Sequence, residues 1–204
     1  MEIASIVKAL KKEYGWKREH LSDPFRVLIT TVLSQRTKDA NTDKASKALF
    51  SKYTTPRQLA NARLKDIEKL IRASGFYKVK ARRIKEISEI ILEKYNGRTP
   101  RKIEELLSLP GVGRKTANCV LVFAYRQPAI PVDTHVHRLS NRLGWVKTKT
   151  PEKTESQLVK KIPKKYWIDL NELLVTHGQS ICLPRRPRCS VCPIEKWCER
   201  AGAQ

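Results

Sequence analysis

The stretch Leu109-Pro110-Gly111-Val112-Gly113-Arg114-Lys115-Thr116-Ala117 decides how the chain is read. Ahead of it, Ile103, Leu106 and Leu107 follow helical spacing; after it, Val120, Leu121 and Phe123 continue an apolar helical face. Pro-Gly-Val-Gly is therefore a tight turn between two helices, where glycine lets the backbone take unusual dihedrals and approach a neighbour closely. The N–H groups that open the second helix have no partners within it and form an anion site, which a nucleic-acid phosphate fits. The competing reading is a plain helical hairpin punctuated by glycine. Lys115 falls in the first turn of the second helix, the end at which the helix dipole disfavours a cation. In the bland reading it is a solvated or phosphate-contacting lysine. In the sharp one its free amine is favoured and acts as a nucleophile.

Moving outward, the charge balance selects between these readings. The 204 residues carry 42 Lys and Arg against 20 Asp and Glu, a net charge of +22. Such a chain is drawn to polyanions, nucleic acid first and an anionic membrane surface second. The second finds no support. The longest strongly apolar stretch, 117–125, is nine residues, and a spanning helix needs about 20. The N-terminal segment has Glu2, Lys8, Lys11 and Lys12 and no apolar core of a secretory signal. The expected location is intracellular, cytoplasmic or nucleoid-associated, where cysteines are thiols or metal ligands. With 40% hydrophobic and 30% charged residues the composition is globular, which excludes a mostly disordered chain and a fibrous one.

The rest of the chain reads as all-α, about ten helices joined by short loops. Ile3, Ile6, Val7 and Leu10 lie at helical spacing. Asp23-Pro24, Thr55-Pro56, Thr99-Pro100 and Thr150-Pro151 each set a capping oxygen before a proline suited to the first helical position. Gly75 and Gly97 mark helix ends. No convincing period-2 strand, repeat or low-complexity tract is present. The loop Gln127-Pro128-Ala129-Ile130-Pro131 breaks the run of helices that begins near Leu21. The last ~25 residues hold four of the five cysteines and little helical periodicity.

Two further constellations carry chemistry. In Pro131-Val132-Asp133-Thr134-His135-Val136-His137-Arg138, Asp133 or Thr134 is positioned to cap the following helix. His135 and His137 are two apart, so on a helix they point to nearly opposite sides and one metal would not take both; at least one is structural or DNA-facing. Cys182-x6-Cys189-x2-Cys192-x5-Cys198 is a tetrahedral thiolate pattern that leaves zinc and an iron–sulfur cluster both open. Cys119 lies apart on an apolar face and reads as a buried small hydrophobe. Arg185, Arg186 and Arg188, between the first two ligands, would form a basic finger for phosphates.

Together and in this order, these motifs resemble the endonuclease III family of DNA repair glycosylases, over essentially the whole chain. Leu109 to Asn118 resembles its helix-hairpin-helix with the catalytic lysine, and Val132-Asp133-Thr134-His135 the segment carrying its catalytic aspartate. The four-cysteine spacing is similar to its [4Fe-4S] ligands. The resemblance implies a six-helix lobe over about 21–131 and a cluster lobe of 1–20 plus 132–204, with duplex DNA in the groove between, bound by a monomer. It implies a bifunctional glycosylase and AP lyase acting on oxidised pyrimidines, with Lys115 attacking C1′ and Asp133 assisting. Leu33-Ser34-Gln35-Arg36-Thr37-Lys38-Asp39 resembles the segment that fills the gap left by the flipped base, with Gln35 and Arg36 both candidates. Ser74-Gly75-Phe76-Tyr77-Lys78-Val79-Lys80-Ala81 resembles the opposing wedge loop; Phe76 is either that wedge or a core residue after a helix end. The alternatives are a non-enzymatic DNA-binding protein, a glycosylase for another lesion, and a zinc-bound nucleic-acid module.

Overall fold

The computed structural model describes residues 2–15 and 23–200. Among them are eleven α-helices and no strand. The helices are α1 (Ile3–Glu13), α2 (Pro24–Ser34), α3 (Asp39–Phe50), α4 (Pro56–Asn61), α5 (Leu64–Leu70), α6 (Tyr77–Tyr95), α7 (Ile103–Leu107), α8 (Arg114–Cys119), α9 (Thr134–Arg142), α10 (Pro151–Lys161) and α11 (Trp167–Ser180). The all-α expectation holds. No described helix is long and apolar enough to cross a membrane.

Three of the four expected proline-led starts hold. Asp23 accepts from the Arg26 N–H at 2.8 Å, Thr55 and Gln58 form a reciprocal capping box, and Thr150 accepts from the Lys153 N–H. Each satisfies donors that the first turn leaves orphaned. Thr99-Pro100 does not start a helix; α7 begins at Ile103. The Thr99 carbonyl instead accepts from the Tyr125 hydroxyl at 2.5 Å, and the Arg101 guanidinium lies 4.8 Å above the Tyr125 ring.

The described residues form two compact units, one from 21–126 and one from 1–20 with 127–204. The expected start near Leu21 lies outside the described residues. The first unit holds α2 to α8, one helix more than the six the resemblance implies. Its core gathers Leu28, Ile29, Val32 and Leu33 of α2, Leu49 of α3, Ile84, Ile87 and Ile91 of α6, and Val120 after α8, all fully buried. After α8 the chain widens into a π-helical turn, Val120–Ala124, a form common beside functional sites.

In the second unit Ile3, Ile6, Val7 and Leu10 of α1 bury against Val136 and Leu139 of α9, Leu158 of α10, Leu170, Leu173 and Leu174 of α11, and Trp145. Ile130 and Val132 join this core, so the loop 127–131 packs with the second unit. Four buried aliphatic side chains on α1 contribute about 6–12 kcal/mol of transfer free energy, before the entropy of ordering the helix offsets much of it. The N-terminal helix is thereby held by residues more than 120 positions away.

Candidate functional site

The hairpin expected at Leu109–Ala117 is present between α7 and α8. The Val112 N–H donates to the Leu109 carbonyl at 3.1 Å and closes the turn. Gly111 has φ +73°, in the left-handed region that favours glycine. Its missing Cβ also makes room for Arg83, whose Cδ would lie 2.7 Å from that atom. Gly113 caps α8 in an extended conformation, and a Cβ there would meet nothing within 4 Å. Gly111 and Gly113 are exposed, whereas Val112, Thr116, Ala117 and Asn118 are buried. The turn therefore shows solvent a backbone edge on a fixed apolar base. Lys115 is half-buried in the first turn of α8, and no ion pair to it is present among the described residues.

Two loops of the same unit stand beside the hairpin. Gln35, just past α2, donates from Nε2 to the Gly111 carbonyl at 2.9 Å and to Thr116 Oγ1 at 3.3 Å. Its side chain is thus engaged within the protein. Arg36 is exposed and has φ +50°. Phe76 has φ +57° and is 63% exposed, which overturns the core reading of that residue. The reason is local: Gly75 packs its Cα face against the Arg36 carbonyl, 2.9 Å from where a Cβ would stand, and the chain then turns outward at Phe76.

Asp133 caps α9 in the other unit. Its Oδ1 accepts from the Val136 N–H at 2.8 Å. Both histidines behind it are engaged within the fold through Nδ1. His135 Nδ1 accepts from Arg138 at 3.2 Å and lies against Gly178, and His137 Nδ1 pairs with Thr154 Oγ1 at 2.7 Å.

The four C-terminal cysteines line one pocket that opens to solvent, with Arg142, His177, Ile181 and Ile194 in its wall. Among the described residues, no three His, Cys, Asp or Glu side chains form a group able to hold a single metal ion. Arg142 is buried and donates to Cys182 Sγ at 3.3 Å and to the carbonyls of Leu183 and Pro184 at 2.7 and 2.9 Å. Arg138, one turn earlier, donates to the carbonyls of Gly178 and Cys182, both at 2.9 Å. These two arginines on α9 clamp the loop that exposes Arg185, Arg186 and Arg188. Burial raises the Cys192 and Cys198 thiols above their usual range; at Cys198 the Arg200 N–H, and more weakly the Arg142 charge, oppose it. His177, which burial draws down to about 4, lies 3.5 Å from Cys192 Sγ through Nε2 and pairs through Nδ1 with the Tyr14 hydroxyl at 2.6 Å. Cys119 is buried and remote in sequence from this group.

Sequence reasoning passed over Lys80, Arg83, Arg142 and His177. For Lys80 a signal exists: it lies on the buried stripe of α6 with Ala81, Ile84, Ile87, Ser88 and Ile91, a core position at helical spacing.

A model of the HhH-GPD superfamily of base excision DNA repair proteins matches residues 29–164. Endonuclease III of Thermotoga maritima is 58% identical over 178 residues, covering 87% of this chain and 84% of that protein. Endonuclease III of Escherichia coli K12 is 38% identical over 180 residues, with 88% and 85% covered. A solved structure of a trapped endonuclease III–DNA covalent intermediate is similar at a TM-score of 0.89 and 38% identity, covering 98% of this chain and 96% of that one.

Proposed function

The chain belongs to the endonuclease III family within the HhH-GPD superfamily of base excision DNA repair proteins, and from that premise we propose which residues carry its DNA glycosylase and AP lyase reaction. The enzyme removes oxidised pyrimidines from duplex DNA and cuts the strand by β-elimination. The position of Lys115 carries the residue assignment. It sits half-buried at the start of α8, beside the exposed turn of Gly111 and Gly113.

The damaged nucleotide leaves the stack so that its sugar becomes accessible. Backbone N–H groups of the 111–113 turn hold a phosphate of the strand. The Lys115 amine donates its lone pair to C1′, and the bond from C1′ to the base breaks with its electrons leaving on the base. Loss of a proton from nitrogen and opening of the sugar ring leave an imine. That imine acidifies C2′; loss of a C2′ proton then expels the 3′ phosphate, and water hydrolyses the imine. Asp133 has one oxygen fixed by the Val136 N–H. The carboxylate takes up the proton that frees the amine and stabilises positive charge developing on the sugar.

Of the two candidates for the gap left by the flipped base, Arg36 is the one presented outward, because the Gln35 amide is spent on Gly111 and Thr116. Phe76 is the opposing wedge, and an exposed ring can stack between bases.

Cys182, Cys189, Cys192 and Cys198 hold a [4Fe-4S] cluster. Four thiols lining one pocket suit a cluster held by cysteine thiolates. Arg142 fits as donor to a thiolate. A cluster held there would serve as a staple, and the loop so pinned would present Arg185, Arg186 and Arg188 to DNA phosphates.

The test is borohydride trapping. Wild-type protein mixed with a duplex containing one abasic site should give a covalent complex, and Lys115→Gln should give none while still binding. An undiminished band from Lys115→Gln would move the nucleophile elsewhere. A brown solution separates the cluster from a zinc site, which is colourless.

A further inference from the structure

Lys80 is a lysine on α6 that is only 3% exposed. Its Nζ donates to the Leu33 carbonyl at 2.7 Å, the Gln35 carbonyl at 2.5 Å, Thr37 Oγ1 at 2.8 Å and Ser74 Oγ at 2.9 Å. Every one of these acceptors is neutral. A buried cation normally requires a counter-charge. Here the compensation is the C-terminal end of α2, whose last-turn carbonyls carry the negative pole of the helix. The surrounding groups continue the same mesh. Ser74 Oγ donates to the Leu33 carbonyl at 2.9 Å, and the Gly75 N–H donates to Thr37 Oγ1 at 3.1 Å.

The mesh joins three segments. Residues 33–37 and 74–76 meet at Lys80, and Gln35 passes the connection on to Gly111 and Thr116. At the edge of this mesh stand Arg36 and Phe76, at φ +50° and +57°. Non-glycine residues hold such dihedrals only where the surroundings over-determine them. Both are exposed. Burial, and the nearby Arg83 charge after it, pull Lys80 down to about 8, so its ammonium is kept against its surroundings rather than placed where it costs nothing.

We propose that Lys80 is the positioning residue for duplex opening: its buried ammonium ties residues 33–37 to residues 74–76 and sets Arg36 and Phe76 as a ready pair for insertion at the lesion. This rests on the assignment of Arg36 and Phe76 as DNA-inserting residues made above. A methionine of similar length would fill the space and remove the one donor that all four acceptors share. The pair would then have to be ordered each time DNA binds, which weakens lesion binding more than the chemical step.

The experiment compares Lys80→Met, Thr37→Val, Arg36→Ala and Phe76→Ala with the wild type. Each is tested well below its Tm. Two readouts are made: the ratio of Kd for undamaged duplex to Kd for duplex with a tetrahydrofuran abasic analogue, and the fluorescence of 2-aminopurine opposite that analogue at saturating protein. Unstacking by an inserted side chain brightens 2-aminopurine, and a purely structural loss of stability does not alter it in folded protein. Lys80→Met is expected to lower the Kd ratio at least tenfold and halve the fluorescence gain, with KM for abasic duplex rising more than kcat falls. Thr37→Val, which removes one acceptor without emptying the site, is expected to give the same effects at smaller size, and it carries the test should Lys80→Met fail to fold. If Arg36→Ala and Phe76→Ala lose the signal while Lys80→Met, or Thr37→Val in its place, stays within twofold of wild type, the role given to Lys80 is wrong. If Arg36→Ala and Phe76→Ala also stay within twofold, the insertion assignment fails and takes the proposal with it.

Discussion

Gly111 and Gly113 flank a single valine, and their replacement by alanine should fail in different ways. Gly111 sits at φ +73°, and an added Cβ would meet Arg83 Cδ at 2.7 Å and Nε at 2.9 Å. A left-handed L residue costs about 1–2 kcal/mol, and alanine recovers about 0.4–1 kcal/mol by restricting the unfolded chain. Displacing the flexible Arg83 side chain adds a little more. Gly111→Ala should therefore destabilise by about 1–2 kcal/mol, a fall in Tm of about 2–8 °C for a chain of this size. Gly113 has φ −93° and ψ 177°, open to any residue, with nothing within 4 Å of a Cβ. As an N-cap alanine is the poorer residue, but it gains a similar amount through the unfolded chain, so Tm should move by less than about 2 °C. The new methyl stands instead in the path of a phosphate approaching α8. Affinity of Gly113→Ala for an abasic-analogue duplex should fall about tenfold, equivalent to about 1.4 kcal/mol. The slope of log affinity against log salt should shrink by about 0.9, one phosphate contact. Thermal unfolding by circular dichroism and anisotropy titrations across a salt series measure both. Wild-type affinity and slope in Gly113→Ala would remove the phosphate from the hairpin. A Gly111→Ala protein as stable as wild type would refute the strain assigned to that turn.

The remaining predictions concern pH, salt and packing. Lys80 lies at about 8 against an ordinary 10.5, so the unfolded chain holds more protons between those values. Stability should rise with pH across that window, and Lys80→Met should flatten the rise; parallel curves for the two proteins would contradict it. Replacing Arg185, Arg186 and Arg188 together by alanine should reduce the salt slope of DNA binding by about 2–3 with Tm little changed, since all three are exposed; an unchanged slope would free that loop from any DNA role. Gly178→Ala would place a Cβ 2.7 Å from His135 Nδ1 and 2.9 Å from Arg138 Nη2, and should cost about 1–3 kcal/mol as α9 is pushed off α11. Chemical denaturation would show this as a lower midpoint at constant slope.

What could be read from the sequence follows the range of the interactions concerned. Asp23, Thr55 and Thr150 cap helices through groups three or four residues away, and local spacing shows them. The hairpin was equally legible, because proline, two glycines and the helical faces on either side lie within about twenty residues. Thr99-Pro100 shows the limit of the capping signal: the same pair of residues stands three positions ahead of α7, and the Thr99 carbonyl is held by Tyr125, 26 residues on. The choice between Gln35 and Arg36 was invisible for the same reason: it turns on a hydrogen bond from Gln35 to Gly111, 76 positions on. Phe76 needed the close approach of Gly75 to Arg36 to show that it faces outward. Lys80 hid among the basic residues of α6, where charge draws the eye and only the period of the buried stripe gives it away. The cysteine spacing named a thiolate site, but the shared cavity and the Arg142 clamp appear only in three dimensions.

Asp133 is secured to the fold through Oδ1, which accepts from the Val136 N–H, and asparagine caps a helix as well as aspartate does. A single-nucleotide change from an aspartate to an asparagine codon would therefore leave α9 intact while removing the charge the proposed reaction uses. Under the proposed role, the position is guarded by the chemistry and not by folding, so loss of repair there would yield a well-folded protein that still occupies damaged DNA.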